Sequence, residues 1–303
     1  MNAAYCPNCG GDLIAGQPCA LCAALQAAAE PATVDAAVSV ADVPPAAFDL
    51  DAAAYERYLD TGRGRLRQEL AFGNLLAALP DLPVRPRRVL DLGGGGGRLA
   101  VRLARLGHDV ELVDPSPEMI RLAKLRAASS RFGDSIACTL GSAELLSGTP
   151  ARYELIILHN VLEYVVDPVA LLAQAAAALS PGGYLSLLCA NRLARPVLRA
   201  LAGNEPGVLA ADLTRRTFPT DLFGGSRNEY AWNELLDLIE QAGFEPVTEH
   251  GVLVFTGLGS GLTPPPDEIA WLQLELSAGR VLEFLGLARY VQLIARRTFA
   301  GDE

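Results

Sequence analysis

The chain has 303 residues, of which 50% are hydrophobic and 20% charged, so there is enough apolar material for a packed core and a mainly disordered protein is excluded. The formal net charge is −10 at pH 7, which excludes a polycation that coats nucleic acid through net charge alone. The sequence contains no uninterrupted apolar run of about 18 residues, and its N-terminus lacks the basic and apolar regions of a signal peptide. We therefore expect a cytoplasmic protein that does not enter a membrane.

Four of the six cysteines form two C-x-x-C pairs near the N-terminus, Cys6 with Cys9 and Cys19 with Cys22. Thiolates favour tetrahedral zinc, and each pair lets two sulfur atoms converge on one ion. Clustered cysteines in a reducing compartment tend to bind metal, with two disulfides or an iron–sulfur site as the alternatives. The segment resembles short zinc-ribbon modules of the form C-P-x-C-G…C-x-x-C. The pattern predicts one structural zinc and a docking role toward a protein partner or a nucleic acid.

Residues 26–47 are rich in Ala, Pro and Val and have neither helical nor alternating periodicity, which indicates a linker. We therefore predict a zinc ribbon at residues 1–25, a linker at 26–47 and a large domain at 48–303. Four thiolates complete the coordination sphere of a zinc ion. The ribbon is accordingly expected to be structural and separate from the chemistry of the large domain.

A glycine-rich loop follows the first apolar segment of the large domain. The segment ends near Asp91, and the loop that follows includes Gly93, Gly94 and Gly95. This order predicts a strand, a loop whose backbone approaches a ligand closely, and a helix. The loop alone also fits the G-x-G-x-x-A fingerprint of dinucleotide-binding proteins. Asp91 argues against a dinucleotide ligand, because a carboxylate at this position repels the pyrophosphate of NAD and suits a cationic ligand.

Strands and helices then alternate along the chain. The strand at 109–114 ends at Asp114, an acid placed to accept hydrogen bonds from two ribose hydroxyls. The alternation predicts an α/β fold with a parallel sheet, right-handed crossovers and a ligand over the carboxyl ends of the strands. The remaining predicted elements complete a seven-stranded sheet with a helical lid: helices at 117–128, 168–179 and 230–242, strands at 135–140, 153–158, 184–189, 246–255 and 290–296, and a helical stretch at 268–285.

The glycine loop, V-D-P-S at 113–116 and L-S-P-G-G at 179–183 resemble the successive motifs of class I S-adenosylmethionine (SAM)-dependent methyltransferases. That resemblance implies a Rossmann-like sheet and SAM as the cofactor. Segments 58–68, 158–168 and 287–292 are similar to the bacterial tRNA methyltransferases that esterify the carboxylate of wobble 5-carboxymethoxyuridine, which implies tRNA as a partner.

The resemblance also implies roles for individual residues. Arg67 would pair with the methionine carboxylate of SAM, and Asp114 would bind the ribose. The remaining implied contacts are Gly93 and Gly94 close to the cofactor, Ala143 by the adenine, and His159 on the methyl-donor face.

The expected methyl acceptor is a carboxylate. A carboxylate is already ionised at neutral pH, so methyl transfer to it needs no general base, and we predict no catalytic residue. Catalysis would rest on alignment of the reacting atoms, which is worth about 7–11 kcal/mol in favourable cases. The segment 204–229 departs from the family pattern, with Thr220 where an arginine is expected. Five arginines are candidate replacements: Arg192, Arg195, Arg199, Arg215 and Arg216.

Three functions stay open from the sequence. The first is a tRNA wobble-carboxylate methyltransferase with the zinc ribbon as an added contact. The second is a methyltransferase acting on a small-molecule acceptor in a biosynthetic pathway. The third is a non-catalytic module that binds the cofactor or a protein partner.

Overall fold

The computed structural model describes residues 5, 6, 19, 22, 52–148, 150–220, 225–258 and 268–298. Strands and helices alternate through the described part of the large domain. The strands are β1 (Arg88–Leu92), β2 (Asp109–Asp114), β3 (Ile136–Leu140), β4 (Tyr153–His159), β5 (Leu179–Ala190), β6 (Thr217–Thr220), β7 (Gly225–Asn228), β8 (Phe244–Val252) and β9 (Tyr290–Arg297). The helices are α1 (Ala52–Leu59), α2 (Gly62–Ala78), α3 (Arg98–Arg105), α4 (Pro117–Ala128), α5 (Pro168–Ala178), α6 (Ala194–Leu201), α7 (Pro206–Thr214), α8 (Trp232–Gln241) and α9 (Glu268–Ala278).

Seven strands form one mixed sheet in the order β3-β2-β1-β4-β5-β9-β8. β9 runs antiparallel to both of its neighbours, and the other neighbouring strands are parallel. This topology confirms the predicted α/β fold with a seven-stranded methyltransferase sheet. Ala190, the last residue of β5, pairs with Tyr290, the first residue of β9. The start of β9 therefore lies at the same edge of the sheet as the carboxyl ends of the parallel strands.

The central strands are apolar on both faces, as a parallel sheet covered by helices requires. In β4, Leu155 and Ile157 pack into the hydrophobic cluster that contains residues of α2, α3 and α4. Ile156 and Leu158 pack into the opposite cluster, which contains residues of α5 and α8.

Side-chain caps fix the start of three helices. The Oγ1 atom of Thr61 accepts a hydrogen bond from the backbone N–H of Gly64 at the start of α2. Ser116 caps α4 in the same way, and Asp167 caps α5. Because each cap satisfies an otherwise unpaired N–H group, the chain turns into a helix at a defined residue.

Helix α1 and the turn before α2 lie across the glycine loop. Glu56 accepts hydrogen bonds from Arg98 Nε and Arg126 Nη2, each 2.9 Å long. Asp60 pairs with Arg98 Nη1 at 2.8 Å. These ion pairs attach α1 to the helices that follow the first two strands, and they supply the expected helical cover over this edge of the sheet.

The chain departs from the predicted strand and helix around residue 253. The strand predicted to reach residue 255 ends at Val252, and Leu253 adopts a left-handed φ of 58°. The next three backbone N–H groups, of residues 254–256, donate to the buried carboxylate of Glu275. The helical stretch predicted at 268–285 ends at Ala278. The next residue, Gly279, must be a glycine, because a Cβ atom there would lie 2.2 Å from the carbonyl oxygen of Gly251.

The segment 204–229 forms α7 and the β6–β7 hairpin, which periodicity did not predict. The side chain of Thr220 lies outside the described part of the chain. Among the described helices, none has the length and apolar character needed to cross a membrane.

Candidate active site

A cleft of about 860 Å³ opens beside the glycine loop and α2. Two predicted residues, Asp114 and Ala143, are not among its described walls: Asp114 lies behind the glycine loop, and Ala143 begins a short turn after β3. The structure therefore brings together most, but not all, of the residues singled out from the sequence. The predicted residues that line the cleft are Arg67, Asp91, Gly93, Gly94, Gly95 and His159.

The glycine loop has no room for side chains at two of its positions. Gly93 has a left-handed φ of 72°, and a Cβ atom there would lie 2.5 Å from Val161. A Cβ atom on Gly94 would lie 2.7 Å from the side chain of Leu112 and 2.8 Å from that of Asp91. The loop can fold against the sheet and expose its backbone to a ligand only because these residues are glycines.

Asp114 fixes both the loop and the helix that follows β2. Its Oδ2 atom accepts a hydrogen bond from Gly95 N, and its Oδ1 atom accepts one from Ser116 N, each 2.9 Å long. Burial raises the pKa of this carboxyl group, although the two hydrogen bonds act in the opposite direction. Each carboxylate oxygen has capacity for a second hydrogen bond. Asp114 therefore combines a structural role with the capacity to accept a ligand hydroxyl.

Asp91 is a buried carboxylate with an unsatisfied oxygen. The residue is 3% exposed, and its Oδ2 atom has no hydrogen-bond partner among the described residues. Burial, and then the neighbouring charge of Asp114, raises the pKa of Asp91 to about 7. Because a buried carboxylate is costly without a partner, this position suits a cationic group of a ligand.

Arg67 is a buried cation held mainly by tyrosines. The residue is 7% exposed, and its guanidinium carbon lies 5.2 Å from the ring centroids of both Tyr58 and Tyr290. Its Nη2 atom donates to the hydroxyl of Tyr55 at 3.0 Å. No carboxylate pairs with Arg67 in the part of the chain that the structure describes. The planar guanidinium therefore suits the carboxylate of a ligand.

Asn160 and Glu163 hold the other side of this guanidinium. Asn160 has a left-handed φ of 57° and accepts a hydrogen bond from Arg67 Nη1 at 3.1 Å. The side-chain amide of Asn160 donates to Glu163 Oε1 at 3.0 Å, and the same oxygen accepts from Ala190 N at 2.8 Å. Glu163 thus orients Asn160, and Asn160 orients Arg67.

A set of buried hydrogen bonds positions His159. The side-chain amide of Gln292 donates to the carbonyl of Ala71 and to Ser186 Oγ, at 2.9 and 3.2 Å. The Oγ atom of Ser186 lies 2.9 Å from His159 Nε2, within hydrogen-bond distance. We infer that His159 is neutral. Burial, and then the charge of Arg67, lowers the pKa of His159 to about 3.

The residues that sequence reasoning missed come from separate segments. Tyr58, Asn160, Glu163 and Tyr290 lie within the motif segments quoted above, but nothing in the sequence alone assigned them a role. Tyr55 lies outside those segments. Its contact with Arg67 depends on the turn between α1 and α2, and no sequence signal identified it.

Four of the five candidate acceptor-binding arginines form ion pairs within the described residues. Arg192 and Arg216 pair with Glu234, Arg195 pairs with Glu229, and Arg199 pairs with Asp212. Arg215 donates to the backbone carbonyl of Thr217. These arginines hold α6, α7 and the hairpin together.

Three of the four predicted metal ligands come together. The Sγ atoms of Cys6, Cys19 and Cys22 all lie within 4.8 Å of one another, and those of Cys6 and Cys22 are 3.6 Å apart. Sulfur atoms bonded at about 2.3 Å to a tetrahedral zinc lie about 3.8 Å apart, whereas a disulfide requires about 2.05 Å. Cys9 lies outside the described residues.

Comparison with known proteins decides the family. A model of the family described as a methyltransferase domain matches residues 63–249. The chain belongs to this methyltransferase family.

Relatives and solved structures agree with that assignment. The chain is 32% identical to tRNA 5-carboxymethoxyuridine methyltransferase of Escherichia coli K12 over 80% of this chain and 92% of that enzyme. It is 34% identical to ubiquinone biosynthesis O-methyltransferase of Cereibacter sphaeroides, over 57% of this chain and 66% of that enzyme. A crystal structure of a SAM-dependent methyltransferase from Methanosarcina mazei superposes with a TM-score of 0.52 and 18% identity, covering 71% of this chain and 93% of that one.

The protein is therefore an enzyme, a SAM-dependent methyltransferase, and not a non-catalytic module. The cleft presents groups that suit both charges of the amino-acid part of this cofactor, its carboxylate and its ammonium group. Among the described residues, no carboxylate forms an ion pair with Arg67, and no donor forms a hydrogen bond with Asp91 Oδ2.

The carboxyl group of Asp91 predicts a pH-dependent affinity for SAM. As the pH rises from about 6 to about 8, Asp91 loses its proton and attracts a cationic ligand more strongly. The dissociation constant of SAM should fall over this range, by at most about tenfold per pH unit. Isothermal titration calorimetry at several pH values measures this dependence.

The variant Asp91→Asn should bind SAM more weakly and lose the pH dependence. Asp109→Asn, at an exposed strand start, is the matched control and should behave like the wild type. A wild-type affinity that is constant between these pH values would refute the electrostatic role of Asp91.

Proposed function

We propose that this enzyme transfers the methyl group of SAM to a carboxylate on a wobble uridine of tRNA. The similarity to the Escherichia coli enzyme extends over 92% of that protein, which supports the same acceptor here. The observation that carries the proposal is a cationic environment around Tyr290, beside the cleft, which suits an anionic acceptor.

Arg289 contributes to this environment from the residue before β9. Its backbone is fixed by hydrogen bonds with Leu253 and Asn191. The charge of its side chain acts on the hydroxyl groups of both Tyr58 and Tyr290. No described carboxylate forms an ion pair with Arg289. We therefore propose Arg289 as the cation that meets the acceptor carboxylate, in the place of the arginine expected near residue 220.

The pKa of Tyr290 reflects the positive charges around its hydroxyl group. Burial raises its pKa, but the charges of Arg67, Arg289 and Arg227 outweigh burial and lower the pKa to about 7. Arg227 is itself paired with Glu229. A site that stabilises a phenolate in this way also stabilises a carboxylate.

The proposed chemistry places few demands on the protein. SAM, when bound, supplies a methyl group activated by its sulfonium. Arg67 would hold the methionine carboxylate, and Asp91 would hold the ammonium group of the same part of the cofactor. Gly93, Gly94 and Gly95 let the cofactor approach the backbone. Asp114 would accept from the ribose, and Ala143 would lie by the adenine. A carboxylate acceptor needs no general base, in agreement with a His159 that is neutral and weakly basic.

A small-molecule acceptor is the second candidate. The similarity to the ubiquinone biosynthesis enzyme and the net charge of −10 favour it. A phenolic acceptor must lose a proton, and Tyr290, whose pKa the charges of Arg67, Arg289 and Arg227 lower, is the group that we propose to accept it. The two candidates therefore differ in whether the site must remove a proton from the acceptor: a phenol requires it, and a carboxylate does not.

Mass spectrometry of tRNA nucleosides separates the candidates. Cells that lack this protein should lose a methyl ester on a wobble uridine, and the wild-type gene should restore it. The Arg289→Ala variant should restore little of the ester. In vitro it should raise the Michaelis constant for tRNA and leave SAM affinity unchanged, because it removes a contact to the acceptor only.

Arg121→Ala, which removes an exposed arginine paired with Glu118 on α4, is the matched control and should restore the ester fully. An unchanged nucleoside profile in cells lacking the protein would exclude the tRNA acceptor. Normal complementation by Arg289→Ala would exclude Arg289 as the acceptor-binding residue.

We also propose that Cys6, Cys9, Cys19 and Cys22 bind one structural zinc ion. The sulfur–sulfur distances among the three described ligands support tetrahedral coordination. Elemental analysis of the reduced protein, purified without chelators, should find one zinc and no iron per chain. Protein without zinc would refute the site. The division into residues 1–25, 26–47 and 48–303 and the cytoplasmic location stay predictions.

A further inference from the structure

We propose that the cysteine knuckle, the described residues Tyr5, Cys6, Cys19 and Cys22, is docked on the methyltransferase domain, and that zinc binding there stabilises this domain and its cofactor cleft. This inference rests on the proposed zinc site. It differs from the expectation, drawn from the sequence, of a ribbon that is separate from the chemistry.

Tyr5 is the first anchor of the knuckle. Its ring centroid lies 5.4 Å from that of Phe132, and the two rings are perpendicular, at 89°. The guanidinium carbons of Arg131 and Arg105 lie 4.7 Å and 5.9 Å from the Tyr5 centroid, and Arg131 also donates a hydrogen bond to the Tyr5 hydroxyl. These partners belong to the end of α3 and the turn between α4 and β3. Edge-to-face aromatic and cation–π contacts favour a defined orientation over a loose tether.

Cys6 is the second anchor. It is 4% exposed and belongs to the hydrophobic cluster that contains residues of α2, α3 and α4. Cys19 and Cys22 are partly buried and pack against the same cluster. Zinc bound by these sulfur atoms would therefore be attached directly to the core of the large domain.

Charge supports the same arrangement. Four thiolates around one divalent zinc leave a net negative charge on the site. Arg105 and Arg131 stack on Tyr5, the residue next to the first ligand, and they place positive charge beside the knuckle. The metal-bound form is consequently favoured in its docked position.

The knuckle also contributes a wall to the cofactor cleft. Cys19 lines the same cleft as the glycine loop and Arg67, together with Ser129 and Ser130 after α4. α3 begins directly after the glycine loop, and α4 begins after Asp114. A knuckle attached to the end of α3 and to the turn after α4 restrains the elements that form the SAM site, so that its loss should loosen the site.

Zinc removal from the full-length protein is the first part of the test. Chelation should lower the melting temperature of the methyltransferase domain by at least about 5 °C. It should also weaken SAM binding several-fold in calorimetry, and added zinc should restore both. Hydrogen exchange should increase around Phe132.

Tyr5→Leu is the second part, because it removes an anchor and leaves all four cysteines in place. This variant should retain one zinc by elemental analysis and still have a lower melting temperature. Combined with Phe132→Leu, its effect should be non-additive, as expected for residues in contact. Cys138→Ala, a cysteine of β3 that is not part of the metal cluster, is the control and should retain the zinc dependence of the melting temperature.

Two outcomes would overturn the inference, and they are distinguishable. If zinc is bound but its removal changes neither the melting temperature nor SAM affinity, the knuckle is a separate module. If the purified protein holds no zinc, the proposed metal site fails, and the metal dependence of stability fails with it.

Discussion

The burial of one guanidinium, that of Arg67, organises one end of the cleft in this enzyme. Arg67 contacts groups from α1, from the residue after β4 and from the first residue of β9, which are far apart in the sequence. Tyrosine side chains and a side-chain amide stabilise its charge, and none of the described carboxylates pairs with it. The fold thus retains a positive charge that a ligand carboxylate can neutralise. That charge lies at the edge of the sheet where β4 ends and β9 begins.

The rest of the site follows from this charge. Asp91 also lines the cleft and is the complementary group, and burial together with the charge of Asp114 raises its pKa. A protonated His159 would repel both Arg67 and a cationic cofactor, and burial together with the charge of Arg67 lowers its pKa to about 3 and keeps it neutral. Arg289 extends the positive potential toward Tyr290. An acceptor that carries its own negative charge suits this environment without a further catalytic group.

Sequence patterns predicted the sheet, the glycine loop and six of the residues that line the cleft. They succeeded because these features depend on local order: an apolar strand, a run of glycines and an acid at the end of the next strand. They did not reveal Tyr55 or the hydrogen-bond chain from Gln292 to His159, because those contacts join segments that only the tertiary fold brings together. The five arginines proposed to contact the acceptor were chosen because they lie in or near segment 204–229 of the sequence. In the structure, four of them form ion pairs with glutamate or aspartate.

The most direct test of this account compares SAM with decarboxylated SAM in binding to the wild-type enzyme and to Arg67→Gln. Loss of the carboxylate should weaken binding to the wild type by about tenfold to a hundredfold, the range for a hydrogen-bonded charge pair. Arg67→Gln should bind SAM more weakly than the wild type does and should discriminate little between the two ligands. Equal affinity of the wild type for both ligands would contradict the assignment of Arg67 to the cofactor carboxylate.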